Sequence, residues 1–160
     1  MPIVTASGTR FFIGPSVLES VDTVEEFEDL TDWTEIGLVE TYGEVGDESS
    51  AVTFAAVGDS RVRKAKGARD AGTMALTVAH DPMDEGQTAL DAAEGTNLNF
   101  AFRIEYPDKP NATGTGTIEY FRGLVMSRRR NIGGNDNVIR RTYSIGVNSQ
   151  MFEVKATAGV

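Results

Sequence analysis

Residues 97–147 read NLNFAFRIEYPDKPNATGTGTIEYFRGLVMSRRRNIGGNDNVIRRTYSIGV. The stretch holds three runs of alternating character parted by two runs of turn residues. In the first, Leu98, Phe100, Phe102, Ile104 and Tyr106 share one side, Asn99, Arg103 and Glu105 the other, and Ala101 suits either. That is the pattern of a half-buried antiparallel strand. In the second, Ile118, Tyr120, Leu124 and Met126 alternate with Thr117, Glu119, Phe121 and Val125. Neither side is cleanly polar, so a neighbour is expected to cover the second as well. The third sets Ile139, Arg141, Tyr143, Ile145 and Val147 against Arg140, Thr142 and Ser144. PDKPNATGTG makes a long, soft connection, and NIGGND a hairpin turn in which Gly133 and Gly134 supply positive φ.

Upstream, Thr9 to Ile13 forms a short extended run that a Gly14-Pro15 turn closes. Thr23 with Glu26 three residues later spells a capping box, opening a helix of about two turns that buries Val24, Phe27 and Leu30 before Thr31-Asp32. The lone tryptophan follows in WTEIGLVE, where Trp33, Ile36 and Leu38 are expected to anchor the chain to the core. Residues 40–50, ETYGEVGDESS, carry Glu40, Glu44, Asp47 and Glu48 among glycines and serines, the composition of a solvated loop. Val52, Phe54 and Ala56 alternate as the next strand, up to Gly58-Asp59. Arg61, Arg63, Lys64, Lys66 and Arg69 then form a basic run, read as an exposed edge or a subunit surface facing the acidic loop. Met74, Leu76, Val78 and His80 share the face of another strand.

Asp81-Pro82-Met83-Asp84 predicts a helix start with Asp81 as cap and Pro82 in the first turn. That helix is expected to reach Glu94, stop at Gly95 and bury Met83, Leu90 and Ala93. Phe152 and Val154 suggest a last short strand before a mobile tail, Thr157 to Val160. One helix packed on several antiparallel strands is the architecture these patterns imply.

The 160 residues suit a single domain, and 17 glycines fit a turn-rich β protein. The absence of cysteine excludes a disulfide scaffold and a cysteine-based zinc site. No apolar run is long enough to span a bilayer and no signal peptide opens the chain, so synthesis in and retention by the cytoplasm are expected. A formal net charge of -9 argues against general nucleic-acid binding.

Catalytic chemistry finds little support. His80 is the only histidine, which excludes a serine triad and a multi-histidine metal centre. Asp81, Asp84 and Glu85 lack the ligand order of a calcium loop and read as capping and solvated groups. Glu105 and Glu119 could lie across adjacent strands, but spacing sets no separation between them. The Asn111-Ala112-Thr113 sequon is read as accidental. Accordingly no catalytic residue, cofactor or metal is expected. Ser127-Arg128-Arg129-Arg130, echoed by Arg140 and Arg141 across the hairpin, is the sharpest basic cluster. It is read as a subunit contact for acidic segments such as 40–50, ahead of a merely solvated arginine face and, last, a nucleic-acid patch that would draw on Tyr120, Phe121 and Tyr143.

TRFFIGPSV, the short helix before WTEIGLVE, the polar stretch after it, DPMDEGQTALDAA, and FAFRIEYPD followed by YFRGLVMSRRR make an ordered set over residues 5–155. In this order the chain resembles the major tail tube proteins of long, non-contractile-tailed, lambda-like phages. The resemblance implies a mainly β fold, a β-sandwich or partial barrel of antiparallel strands with one flanking α-helix. It further implies six copies closing into a ring, rings stacking into a tube, and a lumen that conducts double-stranded DNA without specific binding. A tape measure protein inside and tail terminator and tip proteins at the ends would be its partners, in the virion tail and, during assembly, the host cytoplasm. Carried onto this chain, the inter-ring loop is Glu40, Glu44, Asp47 and Glu48 within residues 40–50, with segments 1–8 and 156–160 as further contact arms of a single domain, 1–160. Arg61, Arg63, Lys64, Arg128, Arg129 and Arg130 are the candidate subunit contacts. Contractile tail tubes and type VI secretion ring proteins have related folds, while an added C-terminal immunoglobulin-like domain is not expected here. A different class, a monomeric β-sandwich module binding carbohydrate or protein, would need an exposed aromatic platform, for which Tyr42 and Tyr106 are the candidates.

Overall fold

A computed structural model describes residues 3–159. In chain order the elements are β1 (Arg10–Ser16), α1 (Val24–Glu28), β2 (Thr34–Glu35), β3 (Val39–Tyr42), β4 (Glu48–Phe54), β5 (Arg63–Asp70) and β6 (Thr73–Ala79). There follow α2 (Glu85–Glu94), β7 (Phe100–Glu105), β8 (Ile118–Asn131), β9 (Arg140–Val147) and β10 (Phe152–Val154). The main sheet runs β2-β1-β7-β8-β9-β6-β3, every pairing antiparallel, and β4 and β5 form a separate two-stranded sheet. Among the described residues no helix is long and apolar enough to cross a membrane.

The connectivity forces the main sheet to roll. β2 and β3 sit at opposite ends of the strand order, yet only Ile36, Gly37 and Leu38 separate them in sequence. A flat sheet would hold those ends ~29 Å apart at ~4.8 Å per strand, whereas the four steps from Glu35 to Val39 reach at most ~14 Å. The result is a partial barrel, closed between β1 and β3 by side chains. Phe11 meets the edge of the Tyr42 ring at 6.0 Å, and the Tyr42 hydroxyl donates to the Thr9 carbonyl at 3.1 Å.

Inside lie Phe11, Ile13, Met74, Leu76, Val78, Phe102, Ile104, Phe121, Val125, Tyr143 and Ile145, and Leu90 and Ala93 of α2 join them. Outside, α1 lays Phe27 over Ala101, Tyr120 and Phe152, making a second apolar layer that half-buried Trp33 joins. Thus β8 is covered on both faces near its start, as its mixed pattern implied. Its larger core face, however, is the Phe121–Val125 side, and Met126 is exposed beside a bulge. β8 also carries two partners along one edge: Gly123 faces Val147 of β9, and Tyr120 faces Phe152 of β10.

Several local expectations need correction. Gly14-Pro15 lies inside β1, where a bulge between Ile13 and Ser16 absorbs it. Leu98 and Ile139 precede their strands and are exposed, as is Leu38, whose φ of 56° turns it away from the core. The α2 cap is Asp84 instead of Asp81, so Met83 falls outside the helix and into solvent. Of the two turn glycines only Gly133 has positive φ, at 72°. The tail is pinned: Thr115 and Thr157 exchange backbone hydrogen bonds, and the Gly159 N–H donates to Asn111 Oδ1 at 3.0 Å. The sequon asparagine thereby holds the tail, while Val160 and residues 1–2 of the expected arms lie outside the described residues.

Candidate assembly surfaces

The 40–50 stretch is not a loop. Glu40 belongs to β3 and pairs with Arg140, Glu48 opens β4 opposite Asp70, and only the short link holding Glu44 and Asp47 is irregular. What projects instead is the β4–β5 hairpin. Its register places Val52 opposite Ala65 and Phe54 opposite Arg63 on one face, and Thr53 opposite Lys64 and Ala51 opposite Lys66 on the other. Residues directly opposite in an antiparallel pair share a face, so one side of the arm carries Val52, Phe54 and Ala65 with Arg63 at its end, and the other carries Lys64 and Lys66. Phe54 is 66% exposed, and Val52, Val57 and Val62 are also exposed.

Of the expected contacts on this arm, Arg63 is neutralised locally by Asp59 at 3.3 Å, and the same carboxylate accepts the Arg61 N–H at 3.1 Å. Ion pairs among the described residues leave out the side chains of Arg61 and Lys64. The structure does not bring them to the acidic stretch of the same chain.

The arginine cluster is split by α2. Asp91 takes Arg141 at 2.8 Å on one carboxylate oxygen and Arg128 at 3.2 Å on the other, and the Tyr143 hydroxyl donates to it at 2.7 Å. Burial alone would raise the Asp91 pKa, but Tyr143 and the two guanidiniums outweigh it and hold it below the ordinary value. Burial, then the Asp91 hydrogen bond, pushes the Tyr143 phenol up to about 12. Arg129 and Arg130 stay exposed, and Arg130 lies directly opposite Arg141.

On the outer face, Thr23 caps α1 by accepting the Glu26 N–H at 3.2 Å and donates its hydroxyl to the Glu26 carboxylate at 3.1 Å. Phe27 is turned to the sheet, so Glu25, Glu26, Glu28 and Asp29 face solvent.

Other candidates are placed elsewhere by the geometry. Tyr42 and Tyr106 are half-buried and offer no open platform; burial raises both phenol pKa values, with Glu119 adding to the shift of Tyr106. Tyr120, Phe121 and Tyr143 are buried. Glu119 is opposite Ile104 and Glu105 opposite Ile118, so the two carboxylates point to opposite faces of the ladder. Asp84 accepts the N–H groups of Gln87 at 2.9 Å and Gly37 at 3.1 Å, while Asp81 accepts that of Met83 at 2.9 Å.

Two buried polar residues escaped sequence reading. The Gln87 side chain donates to the carbonyls of Gly37 and Ala79 and accepts the Asp81 N–H, tying α2 to the β2–β3 link and to the end of β6. Arg122 donates to the carbonyls of Glu19, Val21 and Asn148, holding the N-terminal connection against β8. Arg122 could be found only as a charge inside the apolar run YFRGLV, and Gln87, in a polar stretch, offered no signal.

The fold is thus a rolled antiparallel barrel with a flanking helix and a projecting, uncovered hairpin. A profile of the family described as phage tail tube protein, TTP, matches residues 16–150, and the chain belongs to that family, with a structural role in a tail-tube-like assembly. No curated protein matches it. Among solved structures, the SPP1 tail tube superposes with a TM-score of 0.67 at 12% identity, covering 96% of this chain and 80% of that one. A chain in the anti-feeding prophage baseplate gives 0.66 at 10% identity over 97% of both chains. A crystal structure of an Hcp protein gives 0.54 at 7% identity, covering 92% of this chain and 98% of that one.

Proposed function

We propose that six copies of this chain close into a ring, that rings stack into the tube of a long non-contractile phage tail, and that the tube conducts double-stranded DNA at ejection. The carrying observation is the β4–β5 arm. A two-stranded sheet is marginal in water, and this one leaves Val52, Phe54, Val57 and Val62 uncovered, surface that a solitary subunit would be expected to hide. A neighbouring subunit in the tube would cover it. The arm thus takes the inter-ring role, with Glu44, Asp47 and Glu48 at its base and Arg61 and Lys64 toward its end. Segments 3–8 and 156–159 are further contact arms.

The net charge of -9 suits the conduit, because counterion release would not drive DNA onto a negative wall. A tape measure protein would occupy the lumen during assembly, and terminator and tip proteins would close the ends. Assembly would take place in the host cytoplasm and end in the virion tail.

Electron microscopy of the purified protein tests the reading, with rings or tubes expected. Persistent monomers across protein concentration and salt would overturn it. Replacing Val52 and Phe54 by Ser should abolish tubes while leaving the melting temperature within about 2 °C, since both side chains are exposed in the monomer.

A further inference from the structure

We propose that the arginine-rich end of the β8–β9 hairpin is a docking surface for the acidic α1 segment of a second copy of this chain. The inference rests on the tube reading and names the surfaces that meet within it. Its starting point is a repulsion left in the fold. Arg130 lies directly across the ladder from Arg141, and like charges so placed destabilise a sheet unless an anion intervenes. Of the anions at this end of the hairpin, Asp91 has both oxygens committed to Arg141, Arg128 and the Tyr143 hydroxyl, Glu40 is taken by Arg140, and Asp136 in the turn joins no ion pair among the described residues. Arg129 and Arg130 are exposed, and the ion pairs among the described residues do not include them.

The chain carries one large block of opposite charge. Residues 19–32 hold seven carboxylates and no lysine or arginine. Among the described residues only Asp22 of this block forms an ion pair, with Arg122 at 3.9 Å. By contrast Glu35 and Glu105 are taken by Arg10, Glu40 by Arg140, and Asp59 by Arg63. Because Val24, Phe27 and Leu30 pack on the sheet, the α1 carboxylates point outward.

Distance prevents the two blocks from satisfying each other within one subunit. Phe27 of α1 stacks on Tyr120 at 5.8 Å, and Arg130 lies ten residues further along the same strand, ~30 Å away at ~3.3 Å per residue. The subunit is therefore polar along β8, negative near its start and positive near its end. A heterologous contact joins unlike surfaces of identical copies, which is the arrangement two such poles satisfy. Paired charges of this kind steer approach and set register, and salt weakens them.

The test is a charge swap read by sedimentation and electron microscopy of the full chain. Glu28→Lys with Asp29→Lys leaves the Thr23–Glu26 cap intact and puts cations at the helix end that favours them. Arg129→Glu with Arg130→Glu is the reciprocal change. Each pair should raise the concentration needed for assembly roughly tenfold or more, and the four changes together should bring it back to within about threefold of wild type. Thermal melting of each variant separates misfolding from lost assembly, and Arg129→Gln with Arg130→Gln supplies a milder arm, expected to fall between the two.

Wild-type tubes with no effect of either swap would overturn this contact and leave the tube reading standing, whereas wild-type monomers would remove both. Loss on the arginine side alone, or no recovery in the combined variant, would show that the arginines meet some other acidic surface. Unchanged assembly with altered retention of double-stranded DNA would assign them to nucleic acid.

Discussion

Tyr143, in the middle of β9, donates its hydroxyl to Asp91 of α2 across 2.7 Å, and the same carboxylate holds Arg128 and Arg141. One acceptor thus joins the flanking helix to two strands at the edge of the core. Replacing Asp91 by Asn removes the charge that both guanidiniums face and should cost about 1–3 kcal/mol in urea unfolding at pH 7. The Asp91 pKa is depressed in the fold, so its stabilisation is present above the ordinary value of 3.8 and is lost as pH falls below it. Wild type and Asp91→Asn should therefore converge in stability as the pH is lowered through that range. A gap that persists unchanged at pH 2.5 would show that the carboxylate charge is not the cause.

Tyr143 gives the opposite sign at the alkaline end. Its pKa, raised from 10.0 to about 12, means that the unfolded chain loses this proton first. Stability from this group is whole below pH 10 and falls between 10 and about 12. Tyr143→Phe should flatten that part of the unfolding profile, which differential melting of the two proteins would read.

Gln87 satisfies three backbone groups that have little access to water. Gln87→Leu keeps the approximate volume but strands two carbonyls and an N–H, and should cost about 2–4 kcal/mol. Amide exchange should speed up at Asp81 before it does in β8. Equal protection in both proteins would mean that the Gln87 contacts are dispensable.

Gly86, in the first turn of α2, lies directly against the end of β2, and a Cβ there would overlap the Glu35 carbonyl and the Ile36 Cα. Gly86→Ala should therefore destabilise the fold, although alanine favours a helix by about 1 kcal/mol. Phe102→Ala empties a site where the ring stacks on Phe121 at 5.1 Å and Phe11 at 5.6 Å, and should cost about 3–5 kcal/mol. A loss below about 1 kcal/mol in either variant would contradict the packing described.

Much of the barrel was legible because its strands bury one face more than the other. Met74, Leu76 and Val78, or Tyr143, Ile145 and Val147, repeat every second residue and fall in the core. The Thr23–Glu26 spacing likewise located α1. Of the arm, β4 was legible in the alternation of Val52 and Phe54, but β5 was hidden for the opposite reason: solvated on both faces, it shows charge without apolar alternation, and the acidic approach to the arm looked like a loop. Asp81 and Asp84 were equally good caps by type, and only contact with Gly37, 47 residues away, favours Asp84. Arg122 was unreadable as an anchor because the carbonyls it holds belong to Glu19 and Val21, about a hundred residues earlier.

The closure of the sheet also has a temporal side. Phe11 pairs with Ile104, so the first strand to leave the ribosome waits for a partner about ninety residues behind it. At about 5–20 residues per second that interval lasts roughly 5–20 s, during which the only native partner made is the two-residue β2, which faces Phe12 and Ile13 through Glu35 and Thr34. β7, β8 and β9 follow one another and pair in sequence, so they are expected to form the folding nucleus. The N-terminal strand then docks last among the central strands, and a nascent chain stalled before residue 100 would present its most apolar edge to chaperones.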